Sequence, residues 1–456
     1  MLTNEPYYIL SANLIGLAFI VVTTRGPFSY ERSAGKETVR YNPGGVSTSL
    51  SHLMQKEGGT WICWGDGNND KQHPDEISGN YRIIRVFIND RERRGFYDDY
   101  SNSTLWPLFH YFRERIKYPK SAFLMYRKVN HDFLEAVKKV YSPGDTIWIH
   151  DYQLTLLPAM IRSEIPDARI VFTWHIPWVS GEFFSSLPES EEIIKSLCTS
   201  NCITFHTELY VRNFLDSVSQ ITGESESVRG KVHSIPLGID YSYYHRKSEA
   251  LQRSPFHGDQ KAIFSVDRMD YTKGLTSRVN AIETLLEEHP DLSGKFVYYM
   301  AVSPSRTHVR EYRTFKSDLE MHIGRINGRF STFSWVPIMY MNKKLPESSL
   351  IGFYRFSHVA LITPLFDGLN LVSKEFVASS RDGVLIISKF AGSASQLTGA
   401  IKVNPNSRAE MAQAIYTALN MEPEERRTRL EQMKKDVSRH NSTWWIRRIK
   451  EVSRRG

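Results

Sequence analysis

Short apolar runs recur along this chain. Each ends in a polar or glycine-containing turn, and helix-like stretches lie between them. In order they are Leu17 to Val22, Thr146 to Ile149, Ile170 to Phe172, Ile203 to Phe205, Val232 to Ile235, Ala262 to Val266, Phe296 to Met300, Val359 to Ile362, Val384 to Ile387 and Ile401 to Val403. A strand buried on both faces reads as a continuous apolar run rather than an alternating one. Strands that alternate with helices predict parallel sheets covered on both sides, an α/β fold. These runs are too many for one comfortable sheet. The polar stretch Ser242 to Gln260, with Ser254-Pro255 and Gly258-Asp259, marks the expected break. The pattern therefore predicts two Rossmann-like, doubly wound domains side by side.

The two ends test this reading. Tyr7 to Thr24 is apolar and about as long as a membrane span, but Asn13, Gly16 and Thr23-Thr24 interrupt it and no basic residue precedes it. It is expected to be a buried strand rather than a span or a signal peptide. Pro423 to Arg455 is basic, with an apolar stripe through Leu430, Met433, Val437, Trp444, Trp445, Ile446 and Ile449. Glu422, Glu424, Glu425, Glu431 and Glu451 dilute its charge, so the expectation is a terminal amphipathic helix packed on the body, with neither nucleic acid nor membrane as partner.

Composition changes the picture little. Of 456 residues 41% are hydrophobic and 24% charged, as in an ordinary globular protein, and the net charge of +8 permits small anionic substrates without selecting them. Cys63, Cys198 and Cys202 are the only cysteines, which fits a reducing, cytoplasmic setting. Cys198 and Cys202 are spaced by one helical turn, but no second pair completes a metal site.

In open α/β sheets ligands bind beyond the carboxyl ends of the strands. The first run leads into Arg25, and Gly44-Gly45 follows ahead of a helix, where backbone N–H groups can approach a phosphate. The run at Thr146 ends in Asp151 and the next in His175, so a carboxylate and an imidazole can face one crevice. In the second half, Arg268 and Lys273 follow a strand end, and two fixed cations there suit a diphosphate. Asp367 and Gly368 lie on the loop after Val359 to Ile362; Asn370 to Ser373 begin a helix whose first turns hold Glu375, placed to bind a ribose. No Rossmann glycine spacing and no P-loop occurs, which disfavours a dehydrogenase or an ATPase.

Longer motifs join these residues: Tyr97, Ser101-Asn102, Leu105-Trp106-Pro107 and Phe109-His110-Tyr111; Trp148 to Tyr152; His175-Ile176-Pro177; Arg268 to Gly274; Gly324 to Gly328; Asp367 to Glu375; and Phe390-Ala391-Gly392-Ser393. With them the chain resembles the trehalose-6-phosphate synthase family of retaining glycosyltransferases, over nearly its whole length. The resemblance implies a GT-B fold, two Rossmann-like domains facing across a cleft. Residues 1–240, completed by a final helix at about 440–456, would form the acceptor domain and 241–439 the nucleotide-sugar donor domain. It implies transfer of glucose from UDP-glucose or a related donor to glucose-6-phosphate, without a metal or other cofactor, by front-face substitution. A homo-oligomer is possible in such a family.

Carried onto this chain, the family places Arg25, Tyr97, Trp106, Asp151 and Arg306 around the acceptor. It places Gly44, Gly45, His175, Arg268, Lys273, Asp367, Gly368, Leu369, Asn370, Leu371, Val372 and Glu375 around the donor, with the base near Leu345. Asp151, His175, Arg268, Lys273 and Asp367 would carry the chemistry. The chain departs from the best-known pattern at Phe366, where the family has arginine, and at Trp178-Val179, Leu345 and Val46-Ser47. Relatives on the same scaffold make glucosylglycerol phosphate or couple cyclitols, and a non-catalytic sugar-phosphate sensor is a further alternative.

Overall fold

The structure is a computed structural model that describes residues 18–42, 45–223, 225–306 and 310–454. The strands of the first half are β1 (Phe19–Arg25), β2 (Phe28–Ser33), β3 (Lys36–Tyr41), β4 (Thr60–Trp64), β5 (Asp75–Ser78), β6 (Tyr81–Val86), β7 (Thr146–His150), β8 (Arg169–Thr173), β9 (Cys202–Phe205) and β10 (Val232–Ser234). Those of the second half are β11 (Lys261–Arg268), β12 (Phe296–Ser303), β13 (Ile338–Met341), β14 (Val359–Ile362), β15 (Val384–Ser388) and β16 (Ile401–Val403).

They form two large sheets, as the apolar runs predict. The first has the order β10-β9-β8-β7-β1-β4-β6-β5, parallel except for β5 at its edge, and β2 and β3 make a separate hairpin. The second is wholly parallel, in the order β13-β12-β11-β14-β15-β16. The strand order reverses between β1 and β7 in one sheet and between β11 and β14 in the other. Such switch points open crevices at the strands' carboxyl ends. Arg25, Asp151, Arg268 and the loop to Asp367 all leave from these four strands.

Strand periodicity builds the first core. Ile20 and Val22 join the cluster on one face with Ile62, Ile147 and Ile149. Phe19 and Val21 join Trp61, Trp148 and Cys202 on the other. The second sheet has its own cluster, from Ile263, Tyr298 and Leu361 to Ile386 and Met411.

The basic tail is two helices, where the stripe predicts one. Pro423–Arg439 buries Leu430, Met433 and Val437 in the second core. Ser442–Ser453 buries Trp445, Ile449 and Val452 in the first, with Trp445 5.0 Å from Trp148. The chain thus crosses between lobes twice. The outward crossing lies between Leu237, packed in the first core, and Ile239, packed in the second. The expected break at 242–260 comes just after it and opens with the helix Tyr241–Glu249. The two crossings touch: a Cβ on Gly238 would collide with the backbone of His440 and Asn441.

Other expectations shift. Leu17 and the residues before it lie outside the described residues, and β1 extends on to Arg25. Cys198 ends a helix and Cys202 begins β9, so the pair does not share a helical turn. All three cysteines are free thiols. No described helix is long and apolar enough to cross a membrane.

Candidate active site

The first lobe's side of the cleft begins at Asp151. Its φ of 73° and ψ of 170° are costly for any residue with a Cβ. Two hydrogen bonds help hold the turn: its backbone N–H donates to Thr173 O at 2.9 Å, and its carboxylate accepts from the His175 N–H at 3.3 Å. Burial pushes the Asp151 carboxyl up to about 7, although two backbone N–H groups and Arg268 act against it. His175 lies in a row of imidazoles. Its Nε2 is 3.0 Å from His150 Nδ1 and its Nδ1 is 3.1 Å from His206 Nε2. Burial, then the neighbouring ring, holds His150 and His175 far below the usual range, so both are neutral near pH 7. Strand-end reasoning does not reveal that both ring nitrogens of His175 face other histidines.

Tyr97 and Asn102 come from an unusually wide helix, the π-helical Arg94–Leu105. The run Ser101-Asn102-Ser103 reinforces it, because each side chain donates to the carbonyl five residues earlier, at 2.7, 2.7 and 2.8 Å, while the Thr104 hydroxyl donates to Lys117 O. π-Helical segments are rare and concentrate at functional sites. Tyr97 OH accepts a hydrogen bond from Arg25 at 2.9 Å. Trp106 follows the wide helix and is 5% exposed, with its indole Nε1 lacking a partner among the described residues.

The second lobe supplies the cations. Arg268, at the end of β11, has its guanidinium 5.7 Å from the centre of the Trp106 ring, and Arg306 has its own at 4.9 Å. Arg306 bridges the lobes: it donates to Asn102 Oδ1 at 2.7 Å, to Asp270 at 3.2 Å, and to Tyr312 OH. Its φ of 48° is again left-handed. Lys273 Nζ meets Asp367 Oδ2 at 2.7 Å, with both side chains largely buried. Burial raises the Asp367 carboxyl, but Lys273, His110 and Asn370 together bring it below its ordinary value.

The loop after β14 runs against the first lobe. A Cβ on Gly368 would collide with the His175 carbonyl and Ile176, so only glycine fits there. Leu369 is buried in the first lobe's core, and Leu371 packs against both lobes. Asn370, at φ 77°, caps the helix Leu371–Ser379 by accepting from the Ser373 N–H, and donates to Asp367 at 3.2 Å. Glu375 accepts from Tyr354 OH at 3.2 Å, and burial pushes its carboxyl up to about 7. Beside it Lys374 is 1% exposed and donates to Leu237 O at 2.7 Å.

Three guanidiniums act on one hydroxyl. Burial raises the Tyr97 phenol, yet Arg25, Arg306 and Arg268 together pull it below its ordinary value. A gap that favours negative charge on a phenol favours a phosphate more strongly still.

Most site residues inferred from sequence meet in this gap. Arg25, Tyr97, Trp106, Asp151 and His175 come from one lobe, and Arg268, Lys273, Arg306 and Asp367 to Asn370 from the other. Gly44 lies outside the described residues. Gly45 begins the helix Gly45–Glu57 and adjoins Leu371 of the opposite lobe. Leu345 and Val372 are half-buried against the second core. Tyr312 and His206 escape sequence reasoning. Asn102, Asp270 and Lys374 enter it only as members of the longer motifs, with no task given to them.

Two doubly wound lobes whose strand ends face each other across a cationic cleft define a GT-B scaffold. The chain belongs to glycosyltransferase family 20, whose family model matches residues 17–453. It is 37% identical over 459 residues to the bifunctional trehalose-6-phosphate synthase/phosphatase of Thermoproteus tenax, across 94% of this chain and 62% of that protein. It thus spans less than two thirds of that relative's length. A solved E. coli structure bound with UDP-2-fluoro glucose has a TM-score of 0.87 and 31% identity, covering 96% of this chain and 99% of that one. The UDP-forming α,α-trehalose-phosphate synthase of Burkholderia xenovorans, in complex with glucose-6-phosphate, has a TM-score of 0.86 and 28% identity, covering 96% and 100%.

Proposed function

We propose that this protein transfers glucose from UDP-glucose to glucose-6-phosphate with retention of configuration, releasing UDP and forming α,α-trehalose-6-phosphate. The observation that carries this reading is the gathering of three guanidiniums in the cleft, Arg25 bonded to Tyr97 OH at 2.9 Å and Arg268 and Arg306 over the Trp106 ring, a setting suited to a phosphorylated acceptor. The UDP-2-fluoro glucose and glucose-6-phosphate bound in the two solved relatives support the donor and acceptor chemistry.

Each group then has a task. Arg25 and Arg306 grip the acceptor phosphate, and Trp106 walls the hexose. Asp151 hydrogen-bonds the acceptor sugar. Arg268 and Lys273 neutralise the charge that grows on the departing diphosphate, which takes the acceptor's proton as the new bond forms on the same face. Asp367 holds hydroxyls of the transferred glucose, and His175 packs beside them. The loop Gly368 to Val372 follows the diphosphate, Glu375 binds the ribose, and the base lies toward Leu345. In this reading residues 1–240 and the final helix take the acceptor, and 241–439 take the donor.

The test is direct. The protein is incubated with glucose-6-phosphate and, separately, UDP-, ADP- and GDP-glucose, and the product is identified by mass and linkage. UDP released together with a phosphorylated 1,1-linked disaccharide is the expected result. Nucleoside diphosphate released only with a different acceptor overturns the assignment.

A further inference from the structure

Tyr111 sits just past the acceptor-side tryptophan in a left-handed conformation, φ 61°, with 37% of its surface exposed. Among the described residues only five non-glycine positions have positive φ: Ala34, Tyr111, Asp151, Arg306 and Asn370. The last three belong to the site described above, and Tyr111 has had no task. Strain of this kind persists where the surroundings over-determine it. Here the ring is held from both sides. Its hydroxyl accepts from the Ser180 N–H at 2.9 Å, and its face lies 5.2 Å from Phe183 in its own lobe. Across the cleft it lies 5.1 Å from Phe366, which lies 5.3 Å from Phe390. Four rings therefore form a row from one lobe to the other.

Phe366 immediately precedes Asp367. The adjoining backbone is held from the first lobe as well, because Tyr210 OH donates to Asp367 O at 3.1 Å. Next to the row, Phe112 packs edge-on against Tyr271 of the second lobe at 4.8 Å, and the Arg115 guanidinium covers that ring at 4.5 Å. Tyr271 lies two residues before Lys273. The segment after Trp106 thus touches the residues flanking both members of the Lys273–Asp367 pair.

We propose that Tyr111 and Phe366 form an aromatic clasp across the cleft that positions Asp367 against Lys273 for the transfer step. Tyr111 is a positioning residue and touches no substrate. The inference rests on the transferase reading for its effect on rate, but the clasp itself is a property of the lobes. The phenylalanine at 366 makes the contact one of ring on ring, worth most when both rings are present.

The test is a double-mutant cycle of Tyr111→Leu, Phe366→Leu and the pair, with Tyr111→Phe as the conservative variant. Each leucine variant should lower kcat about tenfold, on the scale set by small misplacements of reacting groups. The double variant should lose little more than either alone. Tyr111→Phe should stay near wild type. Thermal midpoints should barely move, which separates positioning from a structural role. Backbone hydrogen exchange over residues 365–371, measured without substrate, should quicken in both leucine variants. Unchanged exchange in that loop, or fully additive losses of rate, overturns the clasp. Faster exchange in a protein that transfers no glucose leaves the clasp standing and sinks the transferase reading instead.

Discussion

Lys273 and Asp367 stand 94 residues apart in the chain and meet at 2.7 Å in the cleft. The lysine follows β11 and the aspartate follows β14, neighbouring strands of one parallel sheet, so the switch point of that sheet brings them together. Both side chains are largely buried. Lys273 is the principal compensation for the solvent Asp367 has lost, and breaking such a pair costs more than the pair itself contributes.

Lys273→Ala should therefore lower kcat by about a hundredfold to a thousandfold, by analogy with the loss of one donor to a developing anion. It should also destabilise the fold by ~3–5 kcal/mol, because Asp367 is left buried and uncompensated. Adding Asp367→Asn should restore much of the stability and none of the turnover. Steady-state kinetics beside thermal melts of the two variants would show this; a Lys273→Ala enzyme with full turnover contradicts the assignment.

Two buried carboxyls set a dependence on pH. Burial raises Asp151 from 3.8 to about 7 and Glu375 from 4.5 to about 7. Between those limits the folded protein holds protons that the unfolded chain has released. Their contribution to stability is complete below pH 3.8 to 4.5 and is lost as pH rises through 7, roughly 4 kcal/mol for Asp151 and roughly 3 kcal/mol for Glu375. Unfolding free energies measured from pH 4 to 8 should fall less steeply in Asp151→Asn and Glu375→Gln than in the wild type. Parallel curves would refute the raised values.

Lys374 works in the opposite sense. Burial lowers its ammonium from 10.5 to about 7, and the described residues give it a carbonyl, Leu237 O, rather than a counter-charge. From pH 7 to 10.5 the unfolded chain holds the extra proton, so this contribution to stability grows with pH in that window and is lost as pH falls to 7. Lys374→Met should flatten the rise. It also leaves the Leu237 carbonyl at the lobe crossing unsatisfied, which costs about 1–3 kcal/mol. Chemical denaturation at pH 7 and pH 9.5 measures both effects.

The sequence discloses the sheets where strands are buried on both faces. β1, β7, β8, β11, β12, β14 and β15 all carry such buried apolar runs. β5 and β6 do not, because Asp75 to Ser78 form a half-exposed edge strand and Tyr81 to Val86 alternate in burial. The π-helix carrying Tyr97 is silent for a different reason: its i→i+5 pattern matches neither the helical nor the strand template, and side-chain bonds from Ser101 to Ser103 add to its backbone bonds. The two halves of the tail are silent in a third way. One stripe runs through Leu430 and Trp445, and only the placement of the lobes decides that these residues serve different cores. The same holds for Asn102 and Arg306, whose 2.7 Å contact depends wholly on how one lobe sits on the other.

That contact yields the last prediction. Asn102 donates to Tyr97 O and accepts from Arg306 and from Tyr152 OH, so one amide ties Tyr97, Tyr152 and Arg306 together. Removing it takes from Arg306 its tie to the first lobe, while Asp270 and Tyr312 still hold it in the second. Asn102→Ala should raise the KM for glucose-6-phosphate about tenfold, the loss of roughly one charge-assisted hydrogen bond, and leave the KM for the nucleotide sugar unchanged. Arg306→Lys should behave similarly, because an ammonium cannot bond Asn102 and Asp270 in the planar fork of a guanidinium. Initial rates measured with each substrate varied in turn separate the two constants. An equal rise in both would mean that Asn102 holds the lobes together and does not serve the acceptor.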